Sequence, residues 1–578
     1  MSSFGIRVFR TDAGAMCLKG ITRYAATDFA VQEISLQNGT AASLVAPQAS
    51  ANRDLSAQPQ KQDADKSAWY LGCLYKENLS SSRAVELLWN TLRQFSSKKE
   101  AGAAVQFAGH KDRRAITCQH VRLASRDIVP PSIRKQRLSR LNKTLATQGS
   151  RIELGPLQRV PASFRLRKGE IAGNRFHILI RGVESDSESD MSTAAIAERL
   201  VEQLMERGFV NYYGEQRFGG GVRNGAAMGL CLLKGQWRTS ADLLMQSYAQ
   251  DGTDSSMAQA LAAYQSRDYL AAVKAIPEGF APQRSLCMHL MQRPGDFRGA
   301  WMRLPARFRS LTLDSYASLV WNRVASHRLD EMGQEAVEGD LVYDAHPSAH
   351  LSMPCSSVRR LTRQEAAAAP VDRLVDVVLS LPSPNVTLPA NRTADFYRST
   401  LAEDGVSLAA FGVRGTDASY RPLLVRPSDM KMEHIGTYDD GFGTASFHLS
   451  EAGRGLYDAL QARLVEAGVD KGSFLPACGG SGGGGDDGAP LPEPVAERFL
   501  AVMQRITMCS VQSGVYLSQR LRWTQGRSDG EGDGHGAAGS ERQVPAGDVY
   551  RVSFSLPAGA YATVLLRELW KGTHRSFS

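Results

Sequence analysis

The sequence lacks the motifs that bind the commonest cofactors and metals. Its eight cysteines are scattered, no two of them form a CxxC pair, and no cysteine–histidine cluster has zinc-site spacing. It has no HExxH motif and no Walker A loop ending in GK[ST]. These absences predict a protein without a bound cofactor or metal. Scattered cysteines in a long chain are typical of reduced thiols in an intracellular compartment.

Long hydrophobic runs are also missing. A membrane span needs roughly 18 consecutive apolar residues, and neither such a run nor a signal-peptide core is present. We therefore predict no membrane association and a location in the nucleus or the cytoplasm. The mitochondrion is the alternative, because the segment up to Thr27 is basic, with Asp12 as its one acid. The stretch "GIRVF" from Gly5 instead predicts a first strand and folded protein close to the N-terminus.

What the sequence does have is length and positive charge. It holds 578 residues, with a formal net charge of +9 and a pI of about 9.1. That length exceeds one ordinary domain, and the excess of Lys and Arg indicates a polyanionic partner such as nucleic acid. A solvated basic surface without such a partner is the alternative on charge alone. A basic segment from Arg126 to Arg151 would add affinity for phosphate.

The order of predicted elements indicates an α+β fold. Strand-like patterns occur near both ends, whereas the middle of the chain is rich in helical patterns. We predict a first domain part at 1–220, an inserted helix-rich domain at 221–415 and a second part of the first domain at 416–578. A low-complexity insertion at 35–67 and flexible Gly-rich insertions at 478–494 and 526–543 interrupt the two outer parts.

Two segments show clear periodicity. "RFHILIR" alternates Phe176, Ile178 and Ile180 with polar residues, which predicts a strand with one buried face. "STAAIAERLVEQLMERG" predicts a helix that begins after Ser192 or Thr193 and ends at Gly208, because Ser and Thr cap helix starts and Gly ends helices.

The stretch "FAGHKDRRAITCQ", from Phe107 to Gln119, carries one carboxylate among cations. We expect Lys111, Arg113 and Arg114 to favour the charged form of Asp112, which suits a nucleophile, a base or an electrostatic group and not a general acid. Taken by itself, a surface ion pair is the commoner explanation of such a pattern.

A second stretch, "NYYGEQRFG" from Asn211, combines aromatic rings, amides and an arginine. Such side chains are suited to stacking on unpaired bases and to holding phosphate, although a polar turn with core aromatics is the alternative. The glycines that follow from Gly219 do not fit a dinucleotide-binding loop, since Asn224 stands where the third glycine belongs. A methyltransferase that uses these glycines is therefore disfavoured.

Together these stretches resemble the TruD-type pseudouridine synthase family, and within it the eukaryotic pseudouridylate synthase 7-like branch. "FAGHKDRRAITCQ" is similar to that family's AG-x-KDR-x-A-x-T-x-Q motif, and "NYYGEQRFG" to its NYFGxQRFG motif, with Tyr213 in place of the usual Phe. "GNRFHILIR" resembles its NxF strand, and "DFAVQEI", "LYKENLSSSRAVELL", "SYRPLLVRP" and "FSLPAGAYATVLLREL" resemble further segments. The resemblance spans nearly the full chain, in the family's order.

The resemblance implies a pseudouridine-synthase catalytic domain with a mixed or antiparallel sheet, plus an inserted helix-rich TRUD domain. It implies an isomerase that converts a uridine of tRNA to pseudouridine, with uridine 13 of the D arm as the family's substrate. Messenger RNA and small nuclear RNA are further candidate substrates, no cofactor is implied, and we expect a monomer. Asp112 would be the catalytic carboxylate, ion-paired to Lys76. Asn174 would hydrogen-bond near the base or near the loop that carries Asp112, and Phe176 would stack on a flipped uracil. The residues that would contact RNA are Lys111, Arg113, Arg114, Asn211, Tyr212, Tyr213, Gln216, Arg217 and Phe218.

Two questions stay open at this stage. Asp112 would attack the sugar or the base, or remove a sugar proton, and the sequence does not choose between these steps. The chain could also be a catalytically silent RNA-binding protein or RNA chaperone of the same fold. The joint presence of Asp112, Lys76, Asn174 and Phe176 favours the enzyme.

Overall fold

The computed structural model describes residues 4–11, 17–36, 39, 41–42, 69–95, 105–124, 140–142, 144, 152–155, 157–161, 163–185, 191–219, 225–247, 255–343, 358–368, 373–414, 418–439, 446–466, 490–508, 546–570 and 575–576. The insertions predicted at 35–67, 478–494 and 526–543 lie wholly or largely outside these residues. So do most of the basic segment from Arg126 to Arg151 and the glycines that follow Gly219.

The chain divides into two compact units. One, the sheet unit, comprises Asp12–Glu206, Pro427–Ala558 and Leu569–Ser578. The other, the helical unit, comprises Met1–Thr11, Arg207–Arg426 and Gly559–Glu568. The whole of the predicted insertion at 221–415 falls in the helical unit, which also takes short segments from near both ends of the chain. The functional division into catalytic and inserted domains stays a prediction.

The sheet unit is built on one large sheet of 13 strands in the described residues. Its strands are β1 Leu18–Thr22, β2 Phe29–Ile34, β3 Trp69–Glu77, β4 Gln106–Phe107, β5 Ile116–Ala124, β6 Ile152–Leu154, β7 Gln158–Val160, β8 Gly173–Ser185, β15 Ser428–Asp439, β16 Ser446–Leu449, β17 Leu491–Pro492, β18 Gly547–Pro557 and β19 Arg575–Ser576. The main order is β17-β16-β15-β18-β8-β2-β5-β3-β6. The pairs β2–β5 and β1–β19 are parallel, and the other described pairs of this sheet are antiparallel. The predicted mixed sheet is confirmed.

Helices cover this sheet on both faces. The helices of this unit are α1 Ser81–Phe95, α2 Thr193–Arg207, α12 Glu451–Glu466 and α13 Glu493–Thr507. On one face, Ala84 and Leu88 of α1 pack in a core cluster with Leu74 of β3. On the other face, residues of α12 and α13 pack around Leu179 of β8. Alternate residues of a strand point to opposite faces, so α12 and α13 lie on the face opposite to Phe176.

The helical unit consists of helices with short strands between them. The helices are α3 Gly225–Leu233, α4 Trp237–Gln246, α5 Ser255–Gln265, α6 Tyr269–Ala275, α7 Ala281–Gln292, α8 Phe297–Arg303, α9 Ala306–Met332, α10 Arg363–Ala367, α11 Arg392–Glu403 and α14 Ala562–Trp570, the last of which ends in the sheet unit. The strands are β9 Phe209–Val210, β10 Leu341–Tyr343, β11 Val358–Arg360, β12 Val377–Ser380, β13 Tyr420–Pro422 and β14 Leu424–Val425. None of the helices in the described ranges is long and apolar enough to cross a membrane.

The sequence patterns predicted one helix correctly, but the predictions for two strands were wrong in whole or in part. The predicted helix is α2; Ser192 caps it by accepting a hydrogen bond from the Ala195 amide (3.2 Å), and Gly208 follows it with φ +69°. The strand predicted at "GIRVF" is wrong, since residues 5–9 form no strand; the first strand among the described residues is β1. The strand at "RFHILIR" is present as β8, but its predicted one-sided burial fails.

Leu179 and Arg181 of β8 are both buried because the sheet is covered on both faces. Arg181 is 1% exposed, and its Nη2 lies 2.8 Å from Asp28 Oδ1, while its Nη1 donates to the Glu497 carboxylate. Burial raises the pKa of Asp28, and Arg181 opposes that shift. Since a buried charge needs a partner, Arg181 and Asp28 depend on each other.

We predict that Arg181→Met destabilises the protein strongly. The change leaves Asp28 buried without its cation, which costs about 3–5 kcal/mol. Urea unfolding measures the loss. Arg175→Met is the matched control on the same strand, because Arg175 pairs with Asp429 at the surface (3.1 Å), and such a pair contributes at most about 1 kcal/mol. Equal losses for the two variants would contradict the prediction.

Candidate active site

The Asp112 loop, residues 108–115, connects β4 to β5 and is fixed by neutral hydrogen bonds. Ser81, the first residue of α1, accepts a hydrogen bond from the Lys111 amide (2.9 Å) and donates one to Gln119 Oε1 (2.9 Å). Gln119 Nε2 in turn donates to the Gly109 carbonyl (3.4 Å). Gln119, the last residue of the sequence motif, therefore holds the loop that carries the Asp112 carboxylate.

A buried ion pair anchors the same loop. Lys111 Nζ lies 2.7 Å from Glu33 Oε2, and the two side chains are 4% and 1% exposed. The His120 amide also donates to Glu33 Oε1 (3.1 Å). Burial raises the pKa of Glu33, but the Lys111 ammonium and the hydrogen bonds from His120 outweigh it and hold the pKa below its usual value. Lys111 was predicted to contact RNA; its buried ammonium instead pairs with Glu33.

Asp112, the next residue, is partly exposed. Its Oδ2 accepts a hydrogen bond from Arg23 Nη2 at 3.0 Å, with the Asp112 and Arg23 side chains 35% and 16% exposed. Lys76 Nζ donates to the Asp112 backbone carbonyl at 2.7 Å. The predicted Lys76–carboxylate ion pair is therefore corrected: the salt bridge of the Asp112 carboxylate is with Arg23, and Lys76 holds the main chain.

The two arginines that follow Asp112 differ in exposure. Arg113 is exposed, and Arg114 is half-buried and donates to the Tyr24 carbonyl (3.2 Å). Arg113 thus lies where an RNA phosphate can reach it. Arg114 ties the Asp112 loop to the segment that carries Arg23.

Lys76 is completely buried at the end of β3. Burial lowers the pKa of Lys76 to about 8, although the Asp112 carboxylate raises it; the Lys111 ammonium lowers it further. Its charge is therefore sensitive to pH just above neutrality.

Strand register places Lys76 in one row with the aromatic residues. Lys76 is opposite Thr117, Thr117 is opposite Val31, and Val31 is opposite Phe176. Residues directly opposite each other on paired strands share a face of the sheet. Phe176 and Lys76 therefore point to the same side, the side on which Lys76 reaches the Asp112 loop.

Phe176 is 6% exposed and has aromatic neighbours. Its ring stacks on Phe554 with the centroids 5.2 Å apart, and it meets Phe29 edge-on at 6.1 Å. The Arg23 guanidinium lies 4.1 Å from the centre of the Phe29 ring. Arg23 thus contacts both the Asp112 carboxylate and the aromatic group around Phe176.

Asn174 adds an unsatisfied acceptor to this face. Within the described part of the chain, its buried Oδ1 has no hydrogen-bond partner. Buried polar atoms are normally paired, so this oxygen is suited to a donor from a ligand. The neighbouring Gly173 allows β8 and β18 to approach closely, since a Cβ there would lie 2.1 Å from the Leu556 carbonyl oxygen.

The "NYYGEQRFG" segment belongs to the helical unit, and most of its side chains are buried. Asn211, Tyr212, Tyr213 and Phe218 are 0%, 2%, 7% and 1% exposed. The Tyr212 hydroxyl lies 2.8 Å from Ser326 Oγ, and the Phe218 ring stacks on Phe4 at 5.0 Å. These rings pack inside this unit, and their predicted contact with RNA stays a prediction.

Two residues of that segment do reach the surface. Gln216 is exposed, and its Nε2 lies 3.3 Å from Thr563 Oγ1. Arg217 is 25% exposed and lies 3.5 Å from Asp314 Oδ2. These two keep side chains where RNA can contact them, so their predicted role stays a prediction.

Comparison with known proteins identifies the family to which this chain belongs. A family model described as "tRNA pseudouridine synthase D (TruD)" matches residues 3–454, which is more than half of the chain. The chain belongs to the tRNA pseudouridine synthase D family. A tRNA pseudouridine synthase D from Geobacter metallireducens is 30% identical over 62% of this chain and 83% of that protein.

Eukaryotic relatives of this TruD-family chain are longer. The "Multisubstrate pseudouridine synthase 7" of Schizosaccharomyces pombe is 30% identical over 64% of the chain, and the human "Pseudouridylate synthase 7 homolog" is 27% identical over 68%. Both alignments cover 54% of the relative, so the chain spans about half the length of these proteins. The predicted resemblance to this family and its eukaryotic branch is confirmed.

A solved structure shows the same fold. A Methanosarcina mazei protein that bears the name tRNA pseudouridine synthase D superposes with a TM-score of 0.56 at 19% identity, covering 99% of this chain and 97% of that one. At this identity the likeness concerns the fold alone. It confirms the predicted α+β class for this TruD-family member.

Arg23 is the site residue that the sequence prediction missed. It was counted only as one of the basic residues near the N-terminus. A usable signal was its place just before Tyr24 and the "DFAVQEI" stretch, next to the strand that carries Phe29. Its left-handed backbone, with φ +59°, is uncommon for a residue other than glycine and marks a constrained position.

We predict that Lys76 makes stability depend on pH. Its folded-state pKa is about 8, below the ordinary value of 10.5, so the folded state binds fewer protons than the unfolded state between these values. The unfolding free energy of the wild type should therefore rise, relative to Lys76→Met, as the pH increases from 8 to 10.5, by up to about 3 kcal/mol. Urea unfolding across this range measures the difference. A difference that does not change with pH would contradict the prediction.

Proposed function

We propose that the chain converts uridine to pseudouridine in RNA, with tRNA as its principal substrate. The observation that carries this proposal is the setting of Asp112: a partly exposed carboxylate, held by Arg23 and by the Lys76–carbonyl bond. Membership of the TruD family and similarity to proteins named as pseudouridine synthases support it. As a substrate within tRNA we propose uridine 13 of the D arm.

The reaction is an isomerisation. The bond between uracil N1 and the ribose breaks, the base turns, and C5 bonds to the same ribose carbon. The C5 proton leaves, and N1 takes up a proton. No atom is gained or lost overall. The ionised Asp112 serves as a nucleophile toward the sugar or the base, or as a base that removes a sugar proton. In each case Arg23 holds the carboxylate in place, through the hydrogen bond from its Nη2 to Asp112 Oδ2 at 3.0 Å.

The base would be bound on the sheet face that Lys76 and Phe176 share. A uridine inside a helix must be flipped out to reach Asp112, and an exposed base needs a stacking partner. Phe176 and Phe29 supply aromatic surface there, next to Arg23. The unpaired Asn174 Oδ1 suits the uracil N3–H, which is a donor.

We predict that Asp112→Asn abolishes pseudouridine formation and leaves RNA binding within about twofold of wild type. The amide is the same size as the carboxylate but can neither attack nor take a proton. Incubation with a tRNA transcript, followed by chemical mapping of pseudouridine, measures the product and its position. A transcript with cytidine in place of uridine 13 tests the D-arm assignment.

Asp429→Asn is the matched control. Asp429 is also an exposed aspartate that pairs with an arginine of this unit, and its φ of +53° suits Asn. It should retain full activity. Product from Asp112→Asn would overturn the assigned catalytic residue. Wild-type protein that binds RNA and forms no product on tRNA would favour the alternative, a silent RNA-binding protein.

We also predict that Phe176→Leu lowers the rate far more than Phe554→Leu. The two rings stack on each other and both are buried, so each change removes similar packing. Phe176 alone lies next to Phe29 and the Arg23 contact to Asp112. Single-turnover rates on tRNA measure the loss of catalysis, and melting temperatures measure the loss of packing, so that the two effects are separated. Equal losses of rate would argue against stacking of the uracil on Phe176.

A further inference from the structure

Arg421 is a buried cation in the helical unit that the catalytic proposal does not use. It lies in β13 and is 6% exposed. Its Nε donates to the Asn211 carbonyl (2.8 Å), and its Nη2 donates to Asn211 Oδ1 (2.7 Å) and to the Gly559 carbonyl (2.9 Å). All of these acceptors are neutral.

Aromatic rings surround the Arg421 guanidinium. Its central carbon lies 4.1 Å from the centre of the Tyr213 ring, 5.5 Å from that of Trp321 and 5.8 Å from that of Tyr561. Ring faces attract cations, but each such contact contributes only about 0.5–2 kcal/mol. The rings fix the plane of the guanidinium and do not neutralise its charge.

No carboxylate in the described residues lies within salt-bridge distance of Arg421. The buried arginines Arg181 and Arg328 differ in this respect, since each pairs with an aspartate, at 2.8 and 2.6 Å. Burying a charge without a counter-ion is costly, so an arginine of this kind is suited to an anion that binds from outside.

One end of Arg421 remains available for such an anion. Its Nη1 makes no hydrogen bond to a described residue, and it is not among the described buried side-chain atoms that lack a partner, so it keeps access to solvent. Arg217, which is 25% exposed, lies 5.5 Å from the centre of the same Tyr213 ring. Arg217 is balanced by Asp314, whereas Arg421 is not.

We propose that Arg421 binds a phosphate of the RNA backbone through Nη1. The proposal rests on the proposed function, because it takes RNA as the ligand. The chemistry is a charge-assisted hydrogen bond between a guanidinium and a phosphate oxygen. The buried "NYYGEQRFG" residues then have a defined role: Asn211 and Tyr213 hold the guanidinium in place for the phosphate.

The test is the salt dependence of RNA binding. Each lost phosphate contact reduces the slope of log K against log salt concentration by about 0.7–0.9. We expect this reduction for Arg421→Met, with a folded protein by circular dichroism. Arg421→Lys keeps the charge but loses Nη1, so we expect a slope between those of the wild type and of Arg421→Met. If Arg421→Met does not fold, Arg421→Lys provides the test. Wild-type slopes for the folded variants would overturn the proposal and assign Arg421 to structure alone.

Arg398→Met is the matched control for loss of one positive charge. Arg398 is exposed and pairs with Asp395 (3.1 Å) in the same unit. It should leave the slope unchanged. A similar reduction for Arg398→Met would show a general charge effect and would overturn the proposal.

A second measurement identifies the phosphate itself. Single phosphates of the tRNA are replaced by neutral methylphosphonates, and binding to wild type and to the Arg421 variants is compared. We expect one position at which neutralisation weakens wild-type binding at least about tenfold, which is on the order of one charge-assisted hydrogen bond, and weakens binding to the variant much less. No such position would overturn the proposal.

Inorganic phosphate alone distinguishes a free phosphate from an RNA phosphate. We expect it to give no Arg421-dependent rise in melting temperature at matched ionic strength. A rise in wild type that Arg421→Met abolishes would reassign the site to a free phosphate. Failure of the proposed function would give a different result, namely a wild-type protein that makes no pseudouridine. If the wild type is active and the Arg421 variants bind RNA with an unchanged salt dependence, only the Arg421 proposal is overturned.

Discussion

The geometry of the candidate site depends on two ion pairs at adjacent residues, one buried and one partly exposed. Lys111 is buried against Glu33, and Asp112 is partly exposed against Arg23. A buried pair is strongly destabilised by loss of one partner, so the first pair fixes the loop. A partly exposed pair is weaker, so the second leaves the carboxylate able to exchange partners with a substrate. The loop is thus rigid where it is anchored and accessible where the chemistry is proposed.

The large sheet supplies the rest of the site through register. Lys76 and Phe176 are distant in the chain, yet pairing through β5 and β2 places them in one row on one face. Helices α12 and α13 cover the opposite face, so the sheet is fixed from behind. A one-residue slip of β8 would turn Phe176 away from this face. The extensive pairing of β8 with β2 and β18 prevents such a slip.

The sequence predicted the fold class, the helix α2 and the importance of the Asp112 loop, because periodicity and ordered motifs are local signals. It did not predict which charges pair. Lys111, Arg113 and Arg114 look alike in sequence, but Glu33 reaches only Lys111, through the pairing of β2 beside β5. Arg23 was missed for the same reason, since only the fold brings this residue next to Asp112. The "NYYGEQRFG" rings looked suited to RNA because residue type does not reveal burial.

The net charge of this protein is a weak guide to RNA binding. A better guide is whether each Lys or Arg is already paired with a carboxylate of the protein. The formal charge of +9 counts every Lys and Arg equally. Lys111, Arg181 and Arg328 are already neutralised by buried carboxylates, so they add no free positive charge for a polyanion. Arg421 has neutral acceptors and aromatic rings around it and no carboxylate in the described residues. A phosphate that meets Arg421 therefore does not have to displace an existing counter-ion, and the free energy of that contact is not reduced by the loss of an internal salt bridge.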